Sequence, residues 1–556
     1  YDVKEFYRMR YLDTRIYLLD FQRSANQVFD GKLPVYSDDG IILGVRDKNV
    51  EYMMNDSATV LAFVQEGDLW SYSPGNGKVN QVFSFRKTED GDFRDSRIQH
   101  DIKIVRVTDA GDIDFVLYGY MNRGSHEGYE GIGVYHYNPD KNVAEERAFI
   151  PVSESFEFLK KDLEKLSYVN EENELFLLLA KSLYKINIED NSSEVLEEGI
   201  KNANFVSSDN NDHAAWLVSE GDEKGNIKEI NFDTGETRLI EHEKGKRLRA
   251  VGFMNEDLIY GILNKSDILT DEDGHKSEGI SILRIEDFDG NVKKEYQKDG
   301  LYITDISVGS TLIEFELSAK SGDTSYVAQK KDNIMNNKKA TENTVKIELV
   351  SASRTGVRVK LALNGTAQTD SPLTMYAKVS STNQKDIVLD TQIPQESTYY
   401  VYGQGGLDSI YTDPAKAILQ ADALGGVVLN RAQQYIWERG NKKTKTQMDT
   451  AELPEAILAG TMDIKTLKKS VKKTGTVIDL TGCSLDSILY EVSAQRPVIA
   501  KTGSDTSVVI VGYDEYNTYL YDPVKKETYP YGMNDSTDLF QKAGNVFITY
   551  VESVSY

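Results

Sequence analysis

The side chains able to do covalent or acid–base chemistry are spread unevenly along this sequence. Its only cysteine, Cys483, stands at the head of a helix-like run carrying Leu485, Ile488, Leu489 and Val492. The six histidines are residues 100, 126, 136, 213, 242 and 275, so no imidazole follows His275. A thiol attacks only as the thiolate, which at neutral pH needs a base or a cationic neighbour. The residues around Cys483 offer neither, and a small cysteine in Leu480-Thr-Gly-Cys-Ser-Leu485 is expected in the core. His126-Glu127 and His242-Glu243 lack the second histidine of a zinc-peptidase helix. No G-x-S-x-G elbow, phosphate loop or dinucleotide fingerprint occurs either. No metal and no cofactor is expected.

Three apolar strands follow Cys483: Arg496-Pro-Val-Ile-Ala500, then Ser507-Val-Val-Ile-Val-Gly-Tyr513, then a run ending in Tyr521-Asp-Pro523. Short apolar runs bounded by Gly, Asp and Pro are expected as buried sheet strands. Their order is similar to the catalytic half of papain-like cysteine peptidases, in particular the bacteriocin-processing (double-glycine leader) peptidase family. That resemblance implies a catalytic His opening the second strand and an Asp before the proline that orients it. Here the His position is Thr506, six residues before Gly512, and the Asp position is Asp522, sixteen residues after Thr506. The family's nucleophile helix starts D-C-G-P-A-like, with a Gln upstream for the oxyanion. Aligned on Pro414-Ala415, the Cys position is Thr412 and the Gln is Gln404. Aligned on Leu453-Pro454, it falls at 450–452, with Gln447 upstream. Neither alignment supplies a thiol. The resemblance therefore implies a peptidase-like fold without its chemistry, whose degenerate positions Gln404, Thr412, Thr506 and Asp522 line a groove. Asp522 is expected to cap the turn at Pro523.

The elements upstream have a different grammar. Five polar turns, Ser73-Pro-Gly-Asn-Gly77, Asn138–Asn142, Glu189–Ser193, Phe232–Glu236 and Asp287–Asn291, each follow an alternating strand such as Leu69-Trp-Ser-Tyr72 or Gly133-Val-Tyr-His-Tyr137. Such turns between alternating runs predict hairpins. Their recurrence at roughly 40 to 65 residues brackets the blade length of a propeller. The pattern resembles the outer hairpins of TolB-like and dipeptidyl-peptidase-like β-propellers, and about seven blades are expected. Large β-sandwiches are the alternative.

The expected organisation is multidomain and mainly β. Residues 1–30, aromatic and charged without a clean period, form a lead-in packed under the next domain. Residues 31–337 form the propeller. Residues 338–396 are either a β-rich linker module or the completion of the last blade. Residues 397–556 form the α+β papain-like cysteine-peptidase-like domain.

At 556 residues more than one core is required, and 40% apolar with 28% charged residues is the balance of a folded chain. The net charge is −25, yet residues 401–556 carry 16 Lys and Arg against 19 Asp and Glu, so the excess lies upstream. Such a surface repels phosphate backbones, so nucleic acid is not an expected partner. A single cysteine excludes a disulfide framework. No apolar run reaches the roughly 18 residues of a membrane span. The expected function is that of a non-catalytic, extracytoplasmic protein of a bacterial cell surface, held by a signal or anchor upstream of Tyr1. It would recognise a peptide, a protein partner or a cell-surface polymer. Two alternatives stand beside it: a hydrolase or lyase with paired carboxylates on the propeller, and a structural subunit of a membrane-associated complex.

Overall fold

The computed structural model describes residues 1–12, 14–87, 91–200, 204–218, 224–270, 276–309, 311–336, 345–352, 356–365, 373–381, 386–389, 398–440, 442–471, 475–503 and 506–552. The chain divides into two compact units. One holds residues 1–267, 279–318 and 328–393, and the other holds 268–278, 319–327 and 394–556.

The first unit is a succession of antiparallel sheets. The second sheet comprises Tyr52–Met54, Leu61–Gln65, Asp68–Ser73 and Lys78–Phe83. The third comprises His100–Val107, Ile113–Tyr120, Glu130–Asn138 and Val143–Pro151. The fourth runs from Ser167–Val169 to Ser193–Glu197, and the fifth from Phe205–Ser207 to Thr237–Ile240. The sixth includes Lys246–Met254, Asp257–Asn264, Ile282–Glu286 and Val292–Gln297. The seventh is three-stranded, built from Tyr302–Val308, Leu312–Ser321 and Ser325–Met335. Each of the five polar turns connects the third and fourth strands of one of the second to sixth sheets. The first sheet is composite. Tyr36–Ser37 pairs with Gly40–Ile42, which pairs with Gly356–Leu363, which pairs in turn with Val345–Ala352.

Consecutive sheets bury their faces against one another. Phe63, Trp70 and Tyr72 of the second sheet share a core with Ile41, Val359 and Leu361 of the first. Phe83 meets Phe115 and Tyr135 of the third. The same relation runs through Ile132 with Leu177, Phe176 with Trp216, Ala215 with Tyr260, and Ile259 with Phe315. A half-buried sheet cannot stand alone, and face-to-face stacking removes both apolar faces from water.

Residues within 338–396 finish these sheets. Besides 345–363, Leu373–Tyr376 adds in parallel to Lys78–Phe83, and Lys378–Ser381 adds in parallel to Val143–Pro151. Both additions satisfy edge N–H and C=O groups that the meander leaves open. Residues 1–26 differ from the expected packed lead-in. Asp2–Leu12 and Arg15–Asn26 form a two-stranded antiparallel ribbon that is exposed along most of its length.

Among the described residues from 398 onward, two sheets surround one core. Tyr399–Gly403, Gly406–Tyr411, Val427–Asn430 and Tyr435–Glu438 make the smaller one. It packs on the helix Pro414–Leu424, which is capped by Asp413 at its start and by Gly425 (φ 63°) at its end. In the larger sheet, Gly475–Asp479, Phe547–Glu552, Val498–Lys501, Ser507–Tyr513, Asn517–Asp522 and Glu527–Gly532 lie side by side. Helix Leu485–Ser493, with Ser484 as its cap, is buried except at Asp486.

Candidate functional site

The sulfur atom is locked away. Cys483 has no solvent exposure, and its Sγ lies 4.0 Å from the Ala415 carbonyl oxygen. Burial pushes the thiol up to about 12, and Glu491, Asp413 and Asp479 add to the shift. At neutral pH the thiolate fraction is then on the order of 1 in 100,000. No imidazole follows His275 in the sequence, and His275 itself lies outside the described residues.

Thr506 and Asp522 stand at the same end of the larger sheet. Val509 pairs with Tyr521, so the start of Ser507–Tyr513 and the end of Asn517–Asp522 run side by side. Each residue is engaged locally. Thr502 Oγ1 donates to Thr506 Oγ1 at 3.0 Å, and Thr502 N donates to the Thr506 carbonyl at 2.9 Å. Asp522 Oδ1 accepts from Val524 N at 2.8 Å and Lys525 N at 3.0 Å. Those backbone donors, foremost Lys525 N, hold its carboxyl below the usual carboxylate range. The aspartate thus caps the turn that contains Pro523. Gly460 packs against this sheet end. Its carbonyl accepts from Ser507 Oγ at 2.5 Å, and a Cβ there would come within 2.6 Å of Pro523 Cγ.

Gln404 and Thr412 lie elsewhere. Gln404 (φ 53°) and Gly405 (φ 86°) form the exposed turn between Tyr399–Gly403 and Gly406–Tyr411. Thr412 is exposed at the far end of that second strand, just before the Asp413 cap. Six strand residues at about 3.3 Å each put the two about 20 Å apart. An oxyanion donor and a nucleophile must both lie about 3 Å from one reacting carbonyl group. Gln404 and Thr412 therefore cannot act on one reacting carbonyl group. The second alignment fares no better: Gln447 pairs with Gly512, at the opposite end of its strand from Thr506.

No family model and no curated protein matches this chain. Among solved structures, it is similar to a C39-like peptidase from Bacillus anthracis, at 22% identity over 16% of this chain and 58% of that one, with a TM-score of 0.15. Similarity to Porphyromonas gingivalis dipeptidyl peptidase 4 is 9% over 58% of this chain and 60% of that one, with a TM-score of 0.28. For the tricorn protease the values are 14%, 64%, 38% and 0.29. The chain thus spans less than two thirds of the length of each of these proteins. At such TM-scores the likeness decides neither fold nor activity.

The first unit holds a constellation that sequence reasoning missed. Glu146, almost fully buried, accepts from Tyr135 Oη at 2.7 Å through Oε2, and its Oε1 lies 2.9 Å from His126 Nε2. Burial first, and Glu146 second, hold the Tyr135 hydroxyl well above its usual range, so it stays a donor. The His126 ring stacks on Phe149 with centroids 3.6 Å apart. His126, Tyr135 and Glu146 line a cavity of about 200 Å³ together with Phe83, Phe85, Met121, Arg123 and Ser125. With Nε2 turned to Glu146, Nδ1 is the nitrogen that can take a proton from a bound hydroxyl or amine. His126 and Glu146 are twenty residues apart, joined only through the Tyr135–Glu146 strand register. A separate cleft of about 640 Å³ is lined by Lys4, Glu51, Asp101, Lys103 and Lys160 among others. Two of its lysines are matched by carboxylates, Lys103 to Glu51 at 3.3 Å and Lys160 to Asp101 at 2.7 Å. Among the described residues no group of His, Cys, Asp and Glu is arranged to hold a metal ion.

Proposed function

We propose that this is a non-catalytic, extracytoplasmic binding or scaffold protein. Its stacked sheets form a β-propeller of seven blades, followed by a peptidase-like domain that recognises a peptide, a protein partner or a cell-surface polymer. The observation that carries this reading is Cys483: the only thiol of the chain is fully buried and held neutral. The composite first sheet supports the propeller, because strands from both ends of the unit share it, as the closing blade of a ring requires. Asp522 and Thr506, at one sheet end, are the remnants around which an extended segment could add to the sheet.

The test is retention of peptides from an arrayed library on the full chain, read by mass spectrometry. Peptides recovered intact, and fewer of them on a Thr506→Ala/Asp522→Ala variant, support the reading. Recovery of cleaved products overturns it.

A second reading, a hydrolase or lyase with its site on the propeller, is favoured by the His126–Glu146–Tyr135 constellation. Turnover that disappears in His126→Gln and survives a chelator would establish it.

A further inference from the structure

The cavity beside His126 has walls suited to a positive charge. Phe83, Phe85 and Tyr135 line it, each at most 7% exposed. Their rings stand at large angles to one another. Phe83 meets Phe85 at 76° with centroids 5.0 Å apart, and meets Tyr135 at 58° and 5.3 Å. Met121, also buried, adds its thioether to the same lining. Aromatic faces are electron-rich and sulfur is polarisable, so such a lining attracts a cation that has left water.

The polar groups point the same way. Glu146 accepts from Tyr135 Oη, which fixes a nearly buried carboxylate on the wall. In a poorly hydrated cavity that carboxylate repels an anionic ligand and favours a cationic one. Arg123 does not oppose this, because its guanidinium is already matched. Its Nε donates to the Phe85 carbonyl at 2.6 Å, and its Nη2 meets Asp92 at 2.8 Å and Asp95 at 2.6 Å. With His126 Nε2 donating to Glu146, Nδ1 is left as an acceptor. A further wall comes from far along the chain. Lys378–Ser381 pairs in parallel with Val143–Pro151, placing Ser381 opposite Glu146, and Val379, Ser380 and Ser381 all line the cavity. A volume of about 200 Å³ has room for roughly seven water-sized groups. A peptide does not fit; a small head group does.

We propose that this cavity binds a small organic ammonium ion, a methylated amine whose methyl groups meet the aromatic rings and whose charge faces Glu146. The site takes its ligand class from the walls alone, and it stands whether or not the cavity turns anything over.

The experiment is isothermal titration of the full chain with choline and with dimethylbutanol, its neutral isostere that has carbon in place of the nitrogen. Choline is expected to bind about tenfold tighter. Glu146→Gln keeps the shape of the wall and is expected to lose about that factor for choline, with the alcohol unaffected. Ser125→Trp, at the exposed rim, fills the mouth and is expected to weaken both probes. Unchanged melting temperatures verify that the variants fold. Should Glu146→Gln fail to fold, the contrast between the two probes on the unaltered chain still decides. Equal affinity for the two probes, or no choline binding at millimolar concentration, overturns the proposal. So does choline binding that a folded Glu146→Gln variant or the Ser125→Trp variant retains in full.

Discussion

Arg496 Nη1 donates to Glu491 Oε2 at 2.9 Å, and Glu491 has no solvent exposure. The guanidinium also reaches the carbonyls of Tyr435 and Ile436, tying the end of helix Leu485–Ser493 to the smaller sheet. Burial, opposed by Arg496, raises the Glu491 carboxyl to about 7. A folded-state value raised above the ordinary 4.5 means the native chain holds a proton that the unfolded chain has released. The stability this contributes is full below about 4.5 and is lost as pH rises through about 7. Glu491→Gln keeps an acceptor for Arg496 and removes the titration. Urea unfolding at pH 4.5 and pH 8 should show the wild type losing roughly 1–3 kcal/mol more than the variant across that interval. Parallel profiles would mean the carboxyl is not perturbed.

Arg238 is the corresponding tie between the fifth and sixth sheets. It meets Glu229 Oε2 and Glu286 Oε1, each at 2.6 Å, and Glu229 is fully buried. Arg238→Met leaves two carboxylates without their cation and is expected to cost about 3–5 kcal/mol. Adding Glu229→Gln should restore part of that loss, a non-additivity measurable by a double-mutant cycle in denaturant. Independent effects would show that the pair is not coupled.

The elements that could be read in the sequence are those whose signals are local. The five polar turns fall between the third and fourth strands of five successive sheets because their clusters of Asn, Asp, Ser, Pro and Gly favour turn conformations locally. The composite first sheet was not, since residues 40–42 and 345–363 meet only through tertiary pairing. The ribbon 2–26 lost its period-2 signal to the bulge at Arg8/Met9 and to charges among its aromatics. At the candidate site, the motif order located Thr506 and Asp522 on neighbouring strand ends. It misplaced Gln404, whose positive φ in a hairpin turn fixes it far from Thr412.

Asp522→Ala removes the acceptor of the Val524 and Lys525 N–H groups. A small fall in melting temperature is expected, because both N–H groups can turn to water instead. A loss of cooperative unfolding would mean the carboxylate holds more than this turn.

Cys483→Ser places a hydroxyl in the space the sulfur fills. Its cost is expected at about 1–3 kcal/mol of stability, because an unpaired buried polar group loses its water partners. Native Cys483 should resist iodoacetamide at pH 7 and react only after denaturation, which intact-mass measurement follows directly. Rapid labelling of the folded chain would contradict its burial.

Incubating the purified full chain with a peptide library, before and after a thiol-alkylating reagent, is the most direct measurement of its chemistry. Peptides should emerge uncut under both conditions. Cleavage that the reagent abolishes would make Cys483 a working nucleophile and contradict the reading of this protein as a binding module.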